Sequence, residues 1–207
     1  RSPDLIRHAL LNLASQQVKP DVVCVHQNTS HENYDYIIAD LNLPYRVIWI
    51  FTERILHHDE WYSIPLDILI QEGCDYFFWM DHDDIHYANH IKQSITELQN
   101  ADFRISIYSD LLTVDHKKYF MERNISFTVH ACGGQSSSMA FNRAFAIEAL
   151  SDIRNDNNKH DYTDQIIAWV TMPKFRCVNS LILSTCYVAH KGSYTSGEWV
   201  DSILNKL

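Results

Sequence analysis

Three short runs of unbroken apolar residues do most to limit what this chain can become: Val22-Val23-Cys24-Val25, Val47-Ile48-Trp49-Ile50-Phe51 and Tyr76-Phe77-Phe78-Trp79-Met80. A strand with one wet face alternates apolar and polar residues, whereas runs like these need cover on both faces. The stretches between them have helical spacing. Ser2 and Pro3 supply an N-cap and a first helical residue, and Leu5, Ile6, Ala9, Leu10 and Leu13 then form one stripe. Further helices are expected over 31–41, 61–71 and 87–98, with Gly73 closing the second of these, and another strand over 104–108. Covered strands separated by helices make an α/β fold with a mostly parallel central sheet flanked by helices. Such folds usually open on a strand; here a helix comes first, so a first strand is expected to be missing ahead of it.

Beyond residue 110 the texture changes. Short strand-like pieces over 117–120, 126–130 and 137–141 surround Gly133-Gly134, helices follow over 142–150 and about 162–170, a strand over 181–188, and a last helix over 193–207. The 207 residues show no repeat and no linker and read as one domain, with a smaller, mixed-strand second half.

Charge removes some functions. Lys and Arg number 17 against 26 Asp and Glu, a formal net charge of −9, so the chain lacks the basic surface that binds nucleic acid. No apolar run is long enough for a transmembrane segment, and no leader-like segment opens the chain. The five cysteines are scattered, without a Cys-x-x-Cys pair, and read as reduced thiols of a cytoplasmic protein.

The chemistry concentrates in Asp81-His82-Asp83-Asp84, which follows the most apolar run. Ligands of parallel α/β sheets bind outside the carboxyl ends of the strands, and this segment lies at such an end. Three carboxylates this close repel one another unless a cation joins them. Hard oxygen donors suit Mn²⁺ or Mg²⁺, which leave positions for phosphate oxygens. The plain alternative is a solvated turn with Asp84 as the N-cap of the next helix.

The segment Phe77-Phe78-Trp79-Met80-Asp81-His82-Asp83-Asp84 resembles the Asp-x-Asp segment of GT-A glycosyltransferases, Rossmann-like enzymes, and especially of their family-2-like members. Pro3-Asp4-Leu5-Ile6-Arg7-His8-Ala9-Leu10, Pro20-Asp21-Val22-Val23, Asn28-Thr29-Ser30 and Ser138-Met139-Ala140-Phe141-Asn142-Arg143 are similar to that family as well, so the likeness covers most of the chain. The compact chain also resembles the glycosyltransferase domain of a large algal (chlorella) virus, which would place it in the host cytoplasm. The resemblance implies a nucleotide-binding half over about 1–110 and an acceptor-side half over about 111–207. It implies transfer of a sugar from a nucleoside diphosphate sugar, commonly a UDP-sugar, to a hydroxyl of a glycan or glycoside acceptor. Asp83 would ligate Mn²⁺ or Mg²⁺, and Asp81 would contact the ribose or the metal and its water shell. Asp164, with Asp161 in reserve, would be the general base; the plainer reading of the segment is a helix start capped by Asp161 or Thr163. A late His190 would add a metal ligand, Lys191 or Tyr194 would reach the diphosphate, Arg54 a phosphate, and Gly133-Gly134 the acceptor region. One departure stands out: His26-Gln27 occupies the place where the family usually carries an acidic residue after its second strand.

Other features read more plainly. His82, His86 and His90 recur every four residues and suggest a solvated helix face, and Trp61, Trp79, Trp169 and Trp199 suggest core. Two rival functions share the Asp cluster. A haloacid-dehalogenase-type phosphatase uses Asp-x-Asp after an apolar strand, although no Gly-Asp pair occurs here; a catalytically inactive, metal-dependent carbohydrate-binding domain would also keep it.

Overall fold

The computed structural model describes residues 3–28, 32–54, 56–113, 128–130, 136–156 and 162–190. Helix α1 (Pro3–Ala14) leads into strand β1 (Val22–Asn28), and β2 (Arg46–Thr52) runs parallel to it, with Val22 opposite Arg46 and Asn28 opposite Thr52. The connection is not the α-helix expected over 31–41 but a 3-10 helix, Asp35–Asp40. Helix α2 (His58–Gln71) then crosses to β3 (Tyr76–Phe78). It ends as the sequence requires. Gly73 takes φ +84° and its N–H reaches the Ile70 carbonyl at 3.1 Å, while the Cys74 N–H reaches Leu69 at 3.2 Å, the double bond of a Schellman cap.

After β3 come β4 (Ile85–His86), α3 (His90–Leu98), β5 (Phe103–Thr113), β6 (Thr128–His130), β7 (Met139–Asn142), α4 (Arg143–Asn155), a single turn α5 (Thr163–Ile166) and β8 (Cys177–His190). Five of these strands lie in the order β3-β7-β5-β8-β4, with β6 paired to β5. The expected mostly parallel sheet is corrected here. Among the described residues, β1 and β2 form a separate parallel pair, and the six-stranded sheet is mixed: only β5 and β8 run parallel within it, and its other pairings are antiparallel. A parallel pair needs a crossover, usually a helix. Strand β7 instead follows a 3-10 turn, Ser136–Ser138, and enters antiparallel between β3 and β5. The mixed strands therefore belong to the main sheet.

The core lies between this sheet and helices α2 and α4. Phe77, Phe103, Phe141 and Phe145 are 0–2% exposed and pack with ring centroids 4.8–6.5 Å apart, with Leu66, Ala146 and Ile153 around them. Arg143 ties the layers together by donating to the Cys74 and Ile70 carbonyls at the end of α2, at 2.9 and 2.8 Å. Asn142 ends β7 and caps α4, its Oδ1 accepting from the Phe145 N–H at 3.0 Å. Asn142→Ala is expected to lower stability by about 1 kcal/mol, read as a shift in urea midpoint. Among the described residues no helix is long and apolar enough to cross a membrane, and Cys24, Cys74, Cys177 and Cys186 are free thiols.

Candidate active site

The carboxyl ends of β1 and β3 open on one cavity of about 970 Å³, whose rim there includes His26, Gln27, Tyr62, Asp81 and His82. The Asp81–Asp84 segment is a turn, with the Asp84 N–H donating to the Asp81 carbonyl at 3.1 Å. It leads into β4, not into a helix, so the helix-capping alternative for Asp84 does not hold; that residue is only 3% exposed.

Asp81 is held from two sides by the Ser136–Ser138 turn. The Ser136 hydroxyl donates to Asp81 Oδ2 at 2.8 Å, and the Asp81 N–H donates to Ser137 Oγ at 2.9 Å. That turn is fixed in its turn: His86 Nε2 and the Thr185 hydroxyl both donate to the Ser137 carbonyl, at 2.8 and 3.3 Å. Tyr62, from α2, completes the group. Its hydroxyl hydrogen-bonds with Ser136, and burial first, then the carboxylates of Asp81, Asp164 and Asp84, push it above the ordinary tyrosine range. Carboxylates of two distant chain segments, Asp81 with Asp84 and Asp164, thus lie within electrostatic reach of one phenol.

Asp164 lies in the first turn of α5, where its Oδ1 accepts from the Gln165 N–H at 3.0 Å. A π-helical turn, Ile167–Thr171, follows; such turns recur at functional sites. Trp169, expected in the core, is 65% exposed on it. Asp83 faces the His82 ring, Oδ1 to Nδ1 at 3.8 Å. Arg54 is engaged elsewhere: it forms a two-pronged pair with Glu60 at the start of α2, with its side chain 61% exposed. His190 is the last residue of β8; its side chain, and Asp161, Lys191, Tyr194, Gly133 and Gly134, lie outside the described residues.

At the departure noted in the sequence, both side chains have structural partners. The His26 ring lies 3.3 Å from the Trp61 carbonyl and 3.2 Å from the Thr52 hydroxyl. Gln27, 6% exposed, donates to the Glu32 carbonyl at 2.7 Å and accepts from the Tyr34 N–H at 3.0 Å, stapling the loop beside the cavity.

His86 and His90 correct the expected solvated face. They are 1% and 0% exposed, and their rings stack with centroids 3.9 Å apart. The spacing of four is not helical here, since His86 belongs to β4 and α3 begins only at His90. Burial pushes the His86 imidazole down to about 4, with the Arg104 guanidinium adding to it. Burial, His86 and Arg104 push His90 well below its ordinary value. Both rings are therefore neutral in the fold, while in the unfolded chain they titrate near 6.5. Below that pH the unfolded chain takes up protons that the native state refuses, so stability is full above about 6.5 and falls as the pH drops towards 4. His86 alone is expected to contribute a loss of about 3 kcal/mol by pH 4. Urea unfolding at a series of pH values checks this, and His86→Asn, which keeps a donor, is expected to flatten the dependence.

The residues present fit a hard divalent ion brought in with a substrate. Among the described residues no three His, Cys, Asp or Glu side chains form a ready-made cage. Mg²⁺ and Mn²⁺ characteristically take one or two carboxylates and fill their remaining positions with water and substrate phosphate, and Asp81 and Asp83 are an oxygen-only pair of that kind.

Sequence reasoning missed Tyr62, Ser136 and Ser137. Tyr62 was hidden in an amphipathic helix, and the only sign of the others was the triple serine ahead of an apolar strand. No family model matches the chain, and no curated protein matches it. Solved structures do. S. aureus TarS 1-349 in complex with UDP-GlcNAc gives a TM-score of 0.62 at 15% identity over 94% of this chain and 57% of that one. S. aureus TarS 1-349 gives 0.64 at 13% identity over 90% and 57%. The 4-diphosphocytidyl-2C-methyl-D-erythritolsynthase from Anaerococcus prevotii DSM 20548 gives 0.54 at 10% identity over 97% and 86%. The viral resemblance gains no support from these structures. The chain spans little more than half the length of the TarS fragment, and at these identities the likeness is one of fold: this α/β chain has the fold of a protein captured with a nucleotide-sugar, in keeping with the GT-A resemblance.

Proposed function

We propose that the chain is a metal-dependent glycosyltransferase that moves a sugar from a nucleoside diphosphate sugar to a hydroxyl of a glycan acceptor. The observation that carries this reading is Asp81, held by Ser136 and Ser137 beside Tyr62 at the rim of the cavity, with Asp84 and Asp164 within electrostatic reach of the same phenol. It supplies both things the reaction needs, oxygen donors for a diphosphate-bound cation and a separate carboxylate for the acceptor. The fold shared with a protein bound to UDP-GlcNAc supports a UDP-sugar as donor.

In this reading Asp83 and Asp81 hold Mn²⁺ or Mg²⁺. Strand β4 pairs antiparallel with β8, Ile85 opposite Cys186, and β8 ends at His190, the candidate third ligand. The bound ion would supply positive charge for the departing diphosphate. Asp164 takes the acceptor's proton as its oxygen bonds to the sugar's anomeric carbon and the bond from that carbon to the diphosphate breaks. Asp161 is the reserve base. Lys191 and Tyr194 are assigned to the diphosphate, and Arg54 would have to exchange Glu60 for phosphate to join them. Gly133-Gly134 and the exposed Trp169 are assigned to the acceptor side; an indole face suits the apolar face of a sugar ring.

The test is release of UDP from a panel of UDP-sugars with Mn²⁺, with and without a glycoside acceptor. Acceptor-dependent release that stops on adding EDTA is expected, and no release from any donor would leave the inactive carbohydrate-binding domain as the better account. The fold shared with the Anaerococcus synthase favours one second reading, nucleotidyl transfer from a nucleoside triphosphate. It predicts inorganic pyrophosphate as the product in place of UDP. Phosphate trapped covalently on Asp81 would point to the phosphatase instead.

A further inference from the structure

Strand β4, Ile85–His86, is too short to be held by its own ladder. Its second residue is nevertheless fixed from several directions. His86 lies opposite Thr185 of β8, while both of its backbone groups are taken by α1. Asn12 Oδ1 accepts from the His86 N–H at 2.9 Å, and Asn12 Nδ2 donates to the His86 carbonyl at 3.0 Å. An amide side chain carries one acceptor and one donor group, so Asn12 does here what a residue of a neighbouring strand would do. Gln16, one turn on and fully buried, donates to the same carbonyl at 3.1 Å, and its Oε1 accepts from the Ile91 N–H at 3.4 Å.

This anchoring acts on the candidate site through the ring. His86 Nε2 lies 2.8 Å from the Ser137 carbonyl. A carbonyl can only accept, so Nε2 carries the proton. The Ser136–Ser138 turn is thus held to β4 by a carbonyl, and it holds Asp81 by two hydroxyls. The bond from the Asp81 N–H to Ser137 Oγ fixes the backbone, and the bond from the Ser136 hydroxyl to Asp81 Oδ2 restrains the carboxylate. The Thr185 hydroxyl adds a longer bond to the Ser137 carbonyl, at 3.3 Å. His86, Ser136, Ser137 and Thr185 are all buried, so water competes little for these bonds. A histidine that merely filled the core would stabilise the fold without bearing on Asp81.

We infer that His86 is a positioning residue for Asp81: anchored by Asn12 and Gln16, its Nε2–H sets the Ser136–Ser137 turn that orients the Asp81 carboxylate for a divalent cation. The part played by the cation rests on the function proposed above; the orientation of Asp81 by His86 does not. Removing a group that orients a metal-binding carboxylate typically weakens metal affinity by about 10–100-fold.

The test compares His86→Leu, which fills space without a donor, with His86→Gln, whose amide can return a donor near the position of Nε2. Hydrogen exchange of the Asp81 amide is measured in the metal-free protein, and the Mn²⁺ concentration that half-saturates UDP binding is measured beside it. In His86→Leu the Asp81 amide is expected to exchange about tenfold faster while amides of β5 stay protected. Its Mn²⁺ requirement is expected to rise by about 10–100-fold, and His86→Gln should restore most of both. Unchanged exchange and an unchanged Mn²⁺ requirement in His86→Leu overturn the proposal, even if its unfolding midpoint falls. So does equal loosening of Asp81 in the two variants. Should His86→Leu fail to fold, Asn12→Ala, on a half-buried face of α1, takes its place. The same shifts, smaller in size, then support the proposal, and unchanged values overturn it. The exchange readout needs neither metal nor nucleotide. A chain without Mn²⁺-dependent UDP binding therefore counts against the function proposed above, while exchange at Asp81 still decides whether His86 positions it.

Discussion

Asp164→Asn is expected to lower glycosyl transfer by about 10²–10⁴-fold while leaving donor and Mn²⁺ affinity nearly unchanged. The amide keeps an oxygen that can accept from the Gln165 N–H, as Asp164 Oδ1 does at 3.0 Å, so α5 should persist. It cannot take a proton from an acceptor hydroxyl. Asp83→Ala is the companion variant and should fail differently. In the proposed reading it removes an oxygen donor to the ion, so donor binding and turnover are both expected to fall, with part of the activity returning at high Mn²⁺. Titration with UDP, read beside single-turnover rates, separates the two. Unchanged turnover in Asp164→Asn would reject the base and pass the role to Asp161.

The largest expected loss of stability comes from Arg104, a residue with no place in the chemistry. Its side chain is fully buried; Nε donates to Glu97 Oε2 at 2.5 Å and a terminal nitrogen donates to Ser184 Oγ at 3.0 Å. Ser184 lies 3.0 Å from both His90 Nδ1 and the Ser106 hydroxyl, so one guanidinium anchors a polar seam between α3, β5 and β8. Burial by itself would push the Glu97 carboxyl up, but hydrogen bonds from Ser180, Arg104 and Gln93 hold it below the usual range. Arg104→Ala strands that carboxylate and is expected to cost about 3–5 kcal/mol, measured by urea unfolding. Adding Glu97→Gln removes the stranded charge, so the double variant is expected to be more stable than Arg104→Ala alone. An equal or lower midpoint in the double variant would show that packing, and not the charge, sets the cost.

Local patterns carried the first half of the chain. The stripe of α1, the apolar runs of β1 and β2, and Gly73 after α2 each specify their element from neighbours in sequence, and the Asp cluster was placed at a strand end by the run before it. Other elements were less legible because they are defined by distant partners. Strand β4 is two residues long and exists because Ile85 and His86 pair with Cys186 and Thr185. With His86 drawn into that pairing and His90 opening α3, a spacing that reads as a wet helical face becomes a stacked pair in the core. The direction of β7 was likewise hidden, since whether a strand enters parallel or antiparallel depends on the connection before it.

What the sequence determined by itself was the class and the chemistry on offer: apolar strands that demand cover, helices between them, and carboxylates at a strand end that suit a hard cation. Tertiary structure alone decided which groups meet. Asp81 and Asp164 stand 83 positions apart in sequence, and only the packing of α2 sets Tyr62 within electrostatic reach of both. Ser136 and Ser137 gain meaning because β7 lies against β3, which brings their turn beneath Asp81. Local propensity acts over a few residues, whereas a catalytic group is assembled from side chains whose separation in the chain says nothing of their separation in space.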